Sequence, residues 1–454
     1  MKKLMLICAP VSTRSGYGAH CRDLVWSFMD NDDYDIKIMD VPWGSTPRNA
    51  LNKDNKNDKR ILDSILKDPS MERQPDVYVD IRIPNEFQTF GKVNIGITAG
   101  IETTAVSNNW IECCNRMDLV IVPSEHSKSG FVNALYDKLQ QLPNGEQQKV
   151  GELKLEKPME VVFEGSDEDI YKPLDNVSLD LVDDIKEDFA FLTVGQWGKG
   201  NLGEDRKDIG TTLKIFYESF ANRKEQPALI LKTSGASFSI LDREETLMKI
   251  RMVKDMFPRD MKLPNVYLLH GDLSDEEMNK LYNHPKVKCM LSLTHGEGYG
   301  RPLQEATMVG LPLIAPNWSG QVDFLDPNKN LLIGGGLVPV PRSVIWKDII
   351  IEQSQWFNVD QSQVVKMLHY AFENIKDMKS KSLELMKINR SKFTLKNMSK
   401  KLNEVVSNYT KDIPQQVGIN LPKLKKVDSK NTNDTTSIKL PKLKKANQSE
   451  GVSV

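Results

Sequence analysis

The sequence predicts an α/β protein of two doubly wound domains followed by a polar tail. Three observations carry that prediction. Short apolar runs of strand length alternate with helix-period segments along most of the chain, the layout of parallel sheets covered by helices. The strand, glycine loop and helix that open the chain start again near residue 189, as a second domain would. Residues 411–454 then change character: they are rich in Lys, Asn, Ser, Thr and Asp and nearly free of aromatics, the composition of a disordered tail.

In the first domain, Leu4–Ala9 reads as a buried strand, Ser12–Gly18 as a loop, and Cys21, Leu24, Val25 and Phe28 as one helical face. Gly16 and Gly18 lie in that loop at the helix start, where unpaired N–H groups suit an anion. Gly-Tyr-Gly lacks the full dinucleotide fingerprint, so a nicotinamide site is disfavoured. Strands follow at Ile36–Met39, Val77–Ile81, Val93–Ile97 and Leu119–Val122; the polar run Asn52–Arg60 between the first two reads as a solvated loop. Glu102 and Thr103 follow the third of these strands, and His126 follows the last. The glutamine-rich stretch 139–158 reads as a loop insertion.

The second domain opens with strand Phe189–Val194, the glycine-rich loop Gly195–Gly203, and a helix start at Glu204–Gly210. Arg206 and Lys207 sit at that start, where cations oppose the helix dipole, so an anion explains them better than solvent does. Strand Leu229–Thr233 brings Lys232 to its end. Val266–Leu269 leads into the turn Gly271-Asp272-Leu273, after which Ser274 and Glu277 form a capping box. His270 reads as a core residue.

The most informative stretch is Thr294-His295-Gly296-Glu297-Gly298-Tyr299-Gly300-Arg301-Pro302-Leu303-Gln304-Glu305. It lies between strands Val287–Leu293 and Leu311–Ala315. Pro302 suits the first helical position and Gly310 the helix end. Both carboxylates, Glu297 and Glu305, then face one crevice at the C-terminal edge of a parallel sheet.

This stretch resembles the E-x7-E signature of retaining GT-B glycosyltransferases, family 4, the "glycosyl transferases group 1" class. The resemblance covers about residues 1–410 and implies two Rossmann-like, doubly wound domains facing across a cleft. It implies an acceptor domain at 1–180, a donor domain at 181–345, helices 346–410 packing back on the first domain, and the tail 411–454. It implies a nucleotide-sugar donor gripped by Glu305 at the ribose, by Arg206 and Lys207 at the diphosphate, and by Glu297 with Gly298, Tyr299 and Gly300 at the sugar. Gly16 and Gly18 would approach the phosphates, and Gly271, Asp272, Leu273 and Lys232 the base side. Lys207 matches the family's lysine; the usual arginine is missing upstream, where Leu202 stands, so Arg206 or Lys199 takes its part. Glu297, Glu102 and Lys207 are the catalytic candidates. Glu102 and Thr103 are the acceptor-side candidates, with His126 behind them. The resemblance further implies retention of configuration, no metal and no cofactor. A GT-B sugar-nucleotide epimerase and a non-catalytic binding protein are the alternatives.

Ile83–Phe87 and Ile101–Thr104 look like versions carried by large tailed bacteriophages, which admits a modified DNA base as acceptor besides a glycan or a protein. The tail holds Leu421–Lys426 and Leu440–Lys445, two copies of Leu-Pro-Lys-Leu-Lys-Lys, a pattern for bivalent docking to a protein or an anionic polymer. It carries +5 and leaves −6 on the rest of a chain whose net charge is −1, so there is no global bias toward nucleic acid. Five cysteines without metal-ligand spacing fit a reducing, cytoplasmic setting, the host cytoplasm if the chain is phage-encoded. No apolar stretch approaches the length of a spanning helix.

Overall fold

The structure, a computed structural model, describes residues 2–414 except Pro69, Glu72, Asn144 and Ala236. The Leu-Pro-Lys-Leu-Lys-Lys repeats lie outside the described residues. The first lobe runs β1 (Lys3–Ala9), α1 (Gly16–Met29), β2 (Tyr34–Asp40), α2 (Lys56–Ser64), β3 (Val77–Ile81), β4 (Val93–Ile97), α3 (Asn108–Cys114), β5 (Leu119–Val122), α4 (Glu125–Val132), β6 (Leu135–Gln141), β7 (Gln147–Lys154) and β8 (Met159–Val161). Six strands form a parallel sheet in the order β2-β1-β3-β4-β5-β8. The inner strands are apolar on both faces because helices cover both. Met5, Ile7, Val79 and Ile95 join one core with Leu24 and Phe28 of α1, while Val120 and Val122 join a second with Trp110 and Phe131.

Two segments differ from the sequence reading. The polar run Asn52–Arg60 contains the start of α2, capped by the Asn55 side chain, which accepts from the Asn57 and Asp58 N–H groups. Ile61 carries that helix's contact with the core, which is why its sequence looks solvated. The expected loop insertion at 139–158 is largely the antiparallel hairpin β6–β7. Most of its residues are exposed, so no apolar alternation marks it; the dipeptide Asn144-Gly145 was the available signal.

The second lobe runs α5 (Asp180–Asp183), β9 (Ala190–Val194), α6 (Ile209–Phe220), β10 (Ala228–Lys232), α7 (Ile240–Lys254), β11 (Val266–Leu269), α8 (Asp275–Asn283), β12 (Val287–Leu291), α9 (Arg301–Met308), β13 (Leu313–Pro316) and β14 (Leu331–Ile333). Its parallel sheet has the order β11-β10-β9-β12-β13-β14. The capping box of Ser274 and Glu277 is formed. Helix α9 starts at Arg301, one residue before Pro302, because Gly300 turns the chain at φ +102° and serves as its cap. Gly310 ends the segment at φ +70°.

A hairpin of β15 (Gly335–Pro339) and β16 (Gln355–Val359) precedes three helices, α10 (Gln361–Glu373), α11 (Ile375–Lys392) and α12 (Leu395–Thr410). Of the segment 346–410, expected to return to the first lobe, α10 packs on α6 and α11 on α9 of the second lobe; α12 lies against α1. Met398, Leu402 and Val406 place α12 in the first lobe's core, and the Lys3 ammonium donates to the Thr410 carbonyl at 2.7 Å.

The chain therefore crosses between lobes twice, and the crossings meet. Ser166 N–H donates to Phe393 O at 3.1 Å, and Leu395 N–H to Ser166 O at 2.8 Å. A Cβ on the adjacent Gly165 would lie 2.6 Å from Leu395 Cα, so only glycine lets these backbones pass.

Candidate active site

In both sheets the strand order reverses beside the first strand of the lobe: between β1 and β3, and between β9 and β12. Loops leaving the C-terminal ends of such strands splay apart and leave a crevice, the usual ligand position of open α/β sheets. The loop after β9 carries Arg206 and Lys207. The loop after β12 carries Glu297. Their backbones are pinned together: Arg206 O accepts from His295 N at 2.8 Å and from Thr294 Oγ1 at 3.2 Å.

The side chains converge accordingly. Lys207 Nζ donates to Glu297 Oε1 at 2.5 Å, and an Arg206 guanidinium N–H to Glu297 Oε2 at 3.0 Å. Burial alone would raise the Glu297 pKa; the Lys207 and Arg206 charges outweigh it and hold the group at about 2. Burial lowers the Lys207 pKa, against the pull of Glu297. Arg206 also meets Glu102 of the first lobe at 3.6 Å. Glu102, Arg206, Glu297 and Lys207 thus form one charged chain from lobe to lobe, uniting all three catalytic candidates. Lys199 is exposed, whereas Arg206 is in the cluster, which favours Arg206 as the second cation.

The glycine loop presses directly on the first lobe. Gly298 O accepts from Ser124 Oγ at 2.6 Å and Ser127 Oγ at 3.3 Å. A Cβ on Gly298 would sit 2.1 Å from Ala99 O. Gly298→Ala is therefore expected to push the lobes apart, costing about 1–3 kcal/mol of stability through overpacking. Thermal unfolding checks this; an unchanged melting curve would contradict the contact. Tyr299 is buried in the second-lobe core and stacks obliquely on Phe324 rather than facing the crevice.

Glu305 sits deeper, on α9. Its Oε2 accepts from Tyr282 OH at 3.0 Å and its Oε1 from Arg301 Nε at 3.1 Å. Arg301 also reaches Asp23 of α1 at 2.5 Å. Burial raises the Glu305 pKa to about 7, with Arg301 opposing and Asp275 adding to it. Glu164, in the crossing segment that follows β8, is likewise pushed to about 7 by burial.

A cavity of about 360 Å³ opens between the lobes, lined by Arg14, Gly16, Trp43, Lys232, Phe238 and Asp272 among others. Leu273 and Gly195 also line it. Lys232 Nζ donates to Gly271 O at 2.6 Å and stands 5.7 Å from the centre of the Phe238 ring. Arg14 pairs with Asp272 across the lobes at 2.8 Å. Gly16 borders the cavity, whereas Gly18 packs against Thr13, whose carbonyl oxygen would lie 2.4 Å from a Cβ there. His270 pairs with Asp242 at 3.0 Å, a supporting contact at the end of β11. Thr103 is buried and donates to Ala105 O at 3.2 Å. His126 packs edge-on to Trp318 at 4.7 Å, and burial pushes its imidazole down to about 4, so it is neutral at pH 7.

Sequence reasoning missed the supports of this site. His295 stacks on Trp356 at 4.3 Å and its ring nitrogens face Phe357 O and Gly203 O. Asp23, Arg301 and Tyr282 were missed as well: they lie in different elements, and no local pattern joins them. Among the described residues no group of three or more His, Cys, Asp or Glu is placed to hold a metal ion. No helix among them is long and apolar enough to cross a membrane. All five cysteines are buried and free.

Comparison with known proteins extends this picture. A family model described as "Glycosyl transferases group 1" matches residues 259–342, which include the turn Gly271-Asp272-Leu273, the glycine loop and both glutamates. None of the curated proteins matches by sequence. Among solved structures, a sucrose-phosphate synthase from Thermosynechococcus elongatus superposes with a TM-score of 0.61 at 11% identity, covering 90% of this chain and 99% of that one. A glycosyltransferase from Rickettsia africae gives 0.57 at 12% identity, covering 90% and 99%. Anabaena HepE in complex with UDP-glucose gives 0.54 at 12% identity, covering 89% and 100%. The fold is GT-B: two Rossmann-like lobes with a crevice between them.

Proposed function

We propose that this protein is a glycosyltransferase that moves a sugar from a nucleotide-sugar donor to an acceptor hydroxyl, with retention of configuration and without a metal. One observation carries the reading. Lys207 and Arg206 converge on Glu297 at the switch point of the second sheet, beside a cavity between the lobes. The family match over 259–342 and the GT-B neighbours, one of them in complex with UDP-glucose, support it.

The chemistry follows from the charges. Cleaving a sugar–phosphate bond leaves positive charge on the sugar and negative charge on the departing diphosphate. Lys207 and Arg206 meet the diphosphate, exchanging one anionic partner, Glu297, for another. Preorganised cations in a water-poor site favour the charge-separated transition state more than the ground state. Glu297, released from part of its pairing, accepts hydrogen bonds from sugar hydroxyls; charge-assisted bonds of this kind are the stronger ones. Glu305 accepts from the ribose hydroxyls. Glu102 approaches from the first lobe, the acceptor side. The departing phosphate takes the acceptor proton in a front-face displacement. That step needs no carboxylate nucleophile and no divalent cation, because the two basic side chains balance the leaving charge.

The test is direct. Purified protein is screened with nucleotide-sugars for thermal stabilisation, and the best donor is then offered to glycans, proteins and DNA with modified bases. We expect one donor class to raise the melting temperature, transfer that consumes acceptor, and unchanged turnover in excess EDTA. Stabilisation by no nucleotide-sugar would overturn the reading. Interconversion of the donor without acceptor would make the protein an epimerase instead.

A further inference from the structure

The interlobe cavity has a wall that the donor grip above does not use. It comes from the first lobe, from the loop after β2. Trp43, Thr46 and Pro47 line the cavity there, facing a set from the second lobe that includes Lys232, Phe238, Asp272 and Leu273.

This loop is held in place rather than left free. The Asp40 carboxylate accepts from Ser12 N at 3.2 Å and Ser12 Oγ at 2.6 Å, and pairs with Arg48 at 2.7 Å. Arg14 N donates to Pro47 O at 2.9 Å, and Ala50 N to Ser12 O at 3.0 Å. Thr46 N closes a turn onto Trp43 O at 3.1 Å. The Trp43 ring stacks on Tyr17 of α1 at 4.0 Å, nearly parallel. The indole is therefore fixed at the cavity with one ring face covered by Tyr17. Sheet order explains the meeting of the two lobes: β2 and β1 lie at one edge of the first sheet, β11 and β10 at one edge of the second. Their loops meet here, and Arg14 and Asp272 bridge the lobes at 2.8 Å.

We propose that Trp43 is a donor-binding residue of the first lobe that packs against the nucleobase, so that the base is enclosed between the lobes rather than held by the second alone. The proposal rests on the nucleotide-sugar reading above. A flat, rigid indole beside a cavity whose opposite wall carries Phe238 suits a flat aromatic ligand. A sugar or an inorganic diphosphate presents no such face. Stacking of this kind tolerates many bases, so identity would be read by polar neighbours, with Asp272 and Lys232 the groups at hand.

The experiment compares Trp43→Ala and Trp43→Phe with the unaltered protein, using calorimetric titration of UDP, ADP, GDP and inorganic pyrophosphate. If the base packs on the indole, Trp43→Ala weakens the tightest nucleotide about tenfold or more, in line with alanine substitution of base-stacking aromatics. Trp43→Phe retains most of the affinity, and pyrophosphate binds all three proteins alike. Equal nucleotide affinity in Trp43→Ala overturns the proposal. So does a parallel loss of pyrophosphate binding, which would make the residue merely structural. If the unaltered protein binds pyrophosphate but no nucleotide, the donor reading itself fails, and that result is distinct from failure at Trp43.

Discussion

Lys207→Ala is expected to lower kcat by about 10²–10³-fold, the loss seen when one preorganised charge-stabilising donor is removed. The donor KM should change far less. The reasoning starts from position. Lys207 Nζ lies 2.5 Å from Glu297 Oε1, and its side chain is 14% exposed. Burial lowers its pKa, yet Glu297 pulls the other way, so the ammonium is a poorly hydrated charge held in a fixed place. On the proposed function, such a charge acts most strongly on the charge that develops as the diphosphate departs. Arg206 remains in the variant and still pairs with Glu297 at 3.0 Å, so the site keeps a cation for ground-state binding. Lys207→Arg should recover only part of the rate, since a planar guanidinium does not replace a compact ammonium at one point. Single-turnover kinetics with the preferred donor separate chemistry from release. A kcat within threefold of the unaltered protein would remove Lys207 from the mechanism. A loss of folding is checked independently by circular dichroism, because the deletion leaves Glu297 short of one of its two cationic partners.

Much of this site was legible in the sequence, and the reason lies in its local chemistry. Glycine loops after strands, cations at a helix start and carboxylates eight residues apart are each short-range signals. They land at the same crevice because parallel strands end on the same edge. Val77–Ile81, Val93–Ile97 and Leu119–Val122 were readable to the residue, since strands buried on both faces are mostly apolar and β-branched, with Asp80 and Asn94 the polar exceptions. The hairpin β6–β7 was not, because exposed strands show no apolar alternation. Nor was the Asp23–Arg301–Glu305 chain: Asp23 and Arg301 are 278 positions apart and lie in different lobes. The return of α12 to the first lobe without α10 and α11 was also hidden. All three helices are amphipathic, and amphipathicity states that a face is buried without stating against what.

Glu305 is where burial and function pull in opposite directions, and pH should reveal it. The carboxyl is raised from 4.5 to about 7, first by burial, and it sits among Arg301, Asp275 and Tyr282, with Asp23 and Glu164 nearby through Arg301. On the proposed function ribose hydroxyls donate hydrogen bonds to Glu305, so donor binding favours the ionised form. The donor KM is therefore expected to rise as pH falls through about 7, approaching tenfold per unit below it, and to level off above. Glu305→Gln should raise the KM at pH 8 by about 10–100-fold, the worth of hydrogen bonds to a charged acceptor, and should flatten the profile. Stability runs the other way. A folded pKa above the unfolded value means that the native state binds the extra proton between about 4.5 and 7. Stability from this group is thus full below 4.5 and lost as pH rises to about 7, so Glu305→Gln should unfold at a higher temperature than the unaltered protein at pH 8 while binding donor worse. Glu164 titrates in the same window and would mimic part of this; Glu164→Gln tells them apart, since it leaves the Glu305 carboxyl intact. A Glu305→Gln protein with unchanged donor KM across pH 6–8 would show that this carboxyl serves the lobe contact alone. The ribose would then have to be held elsewhere in the cavity.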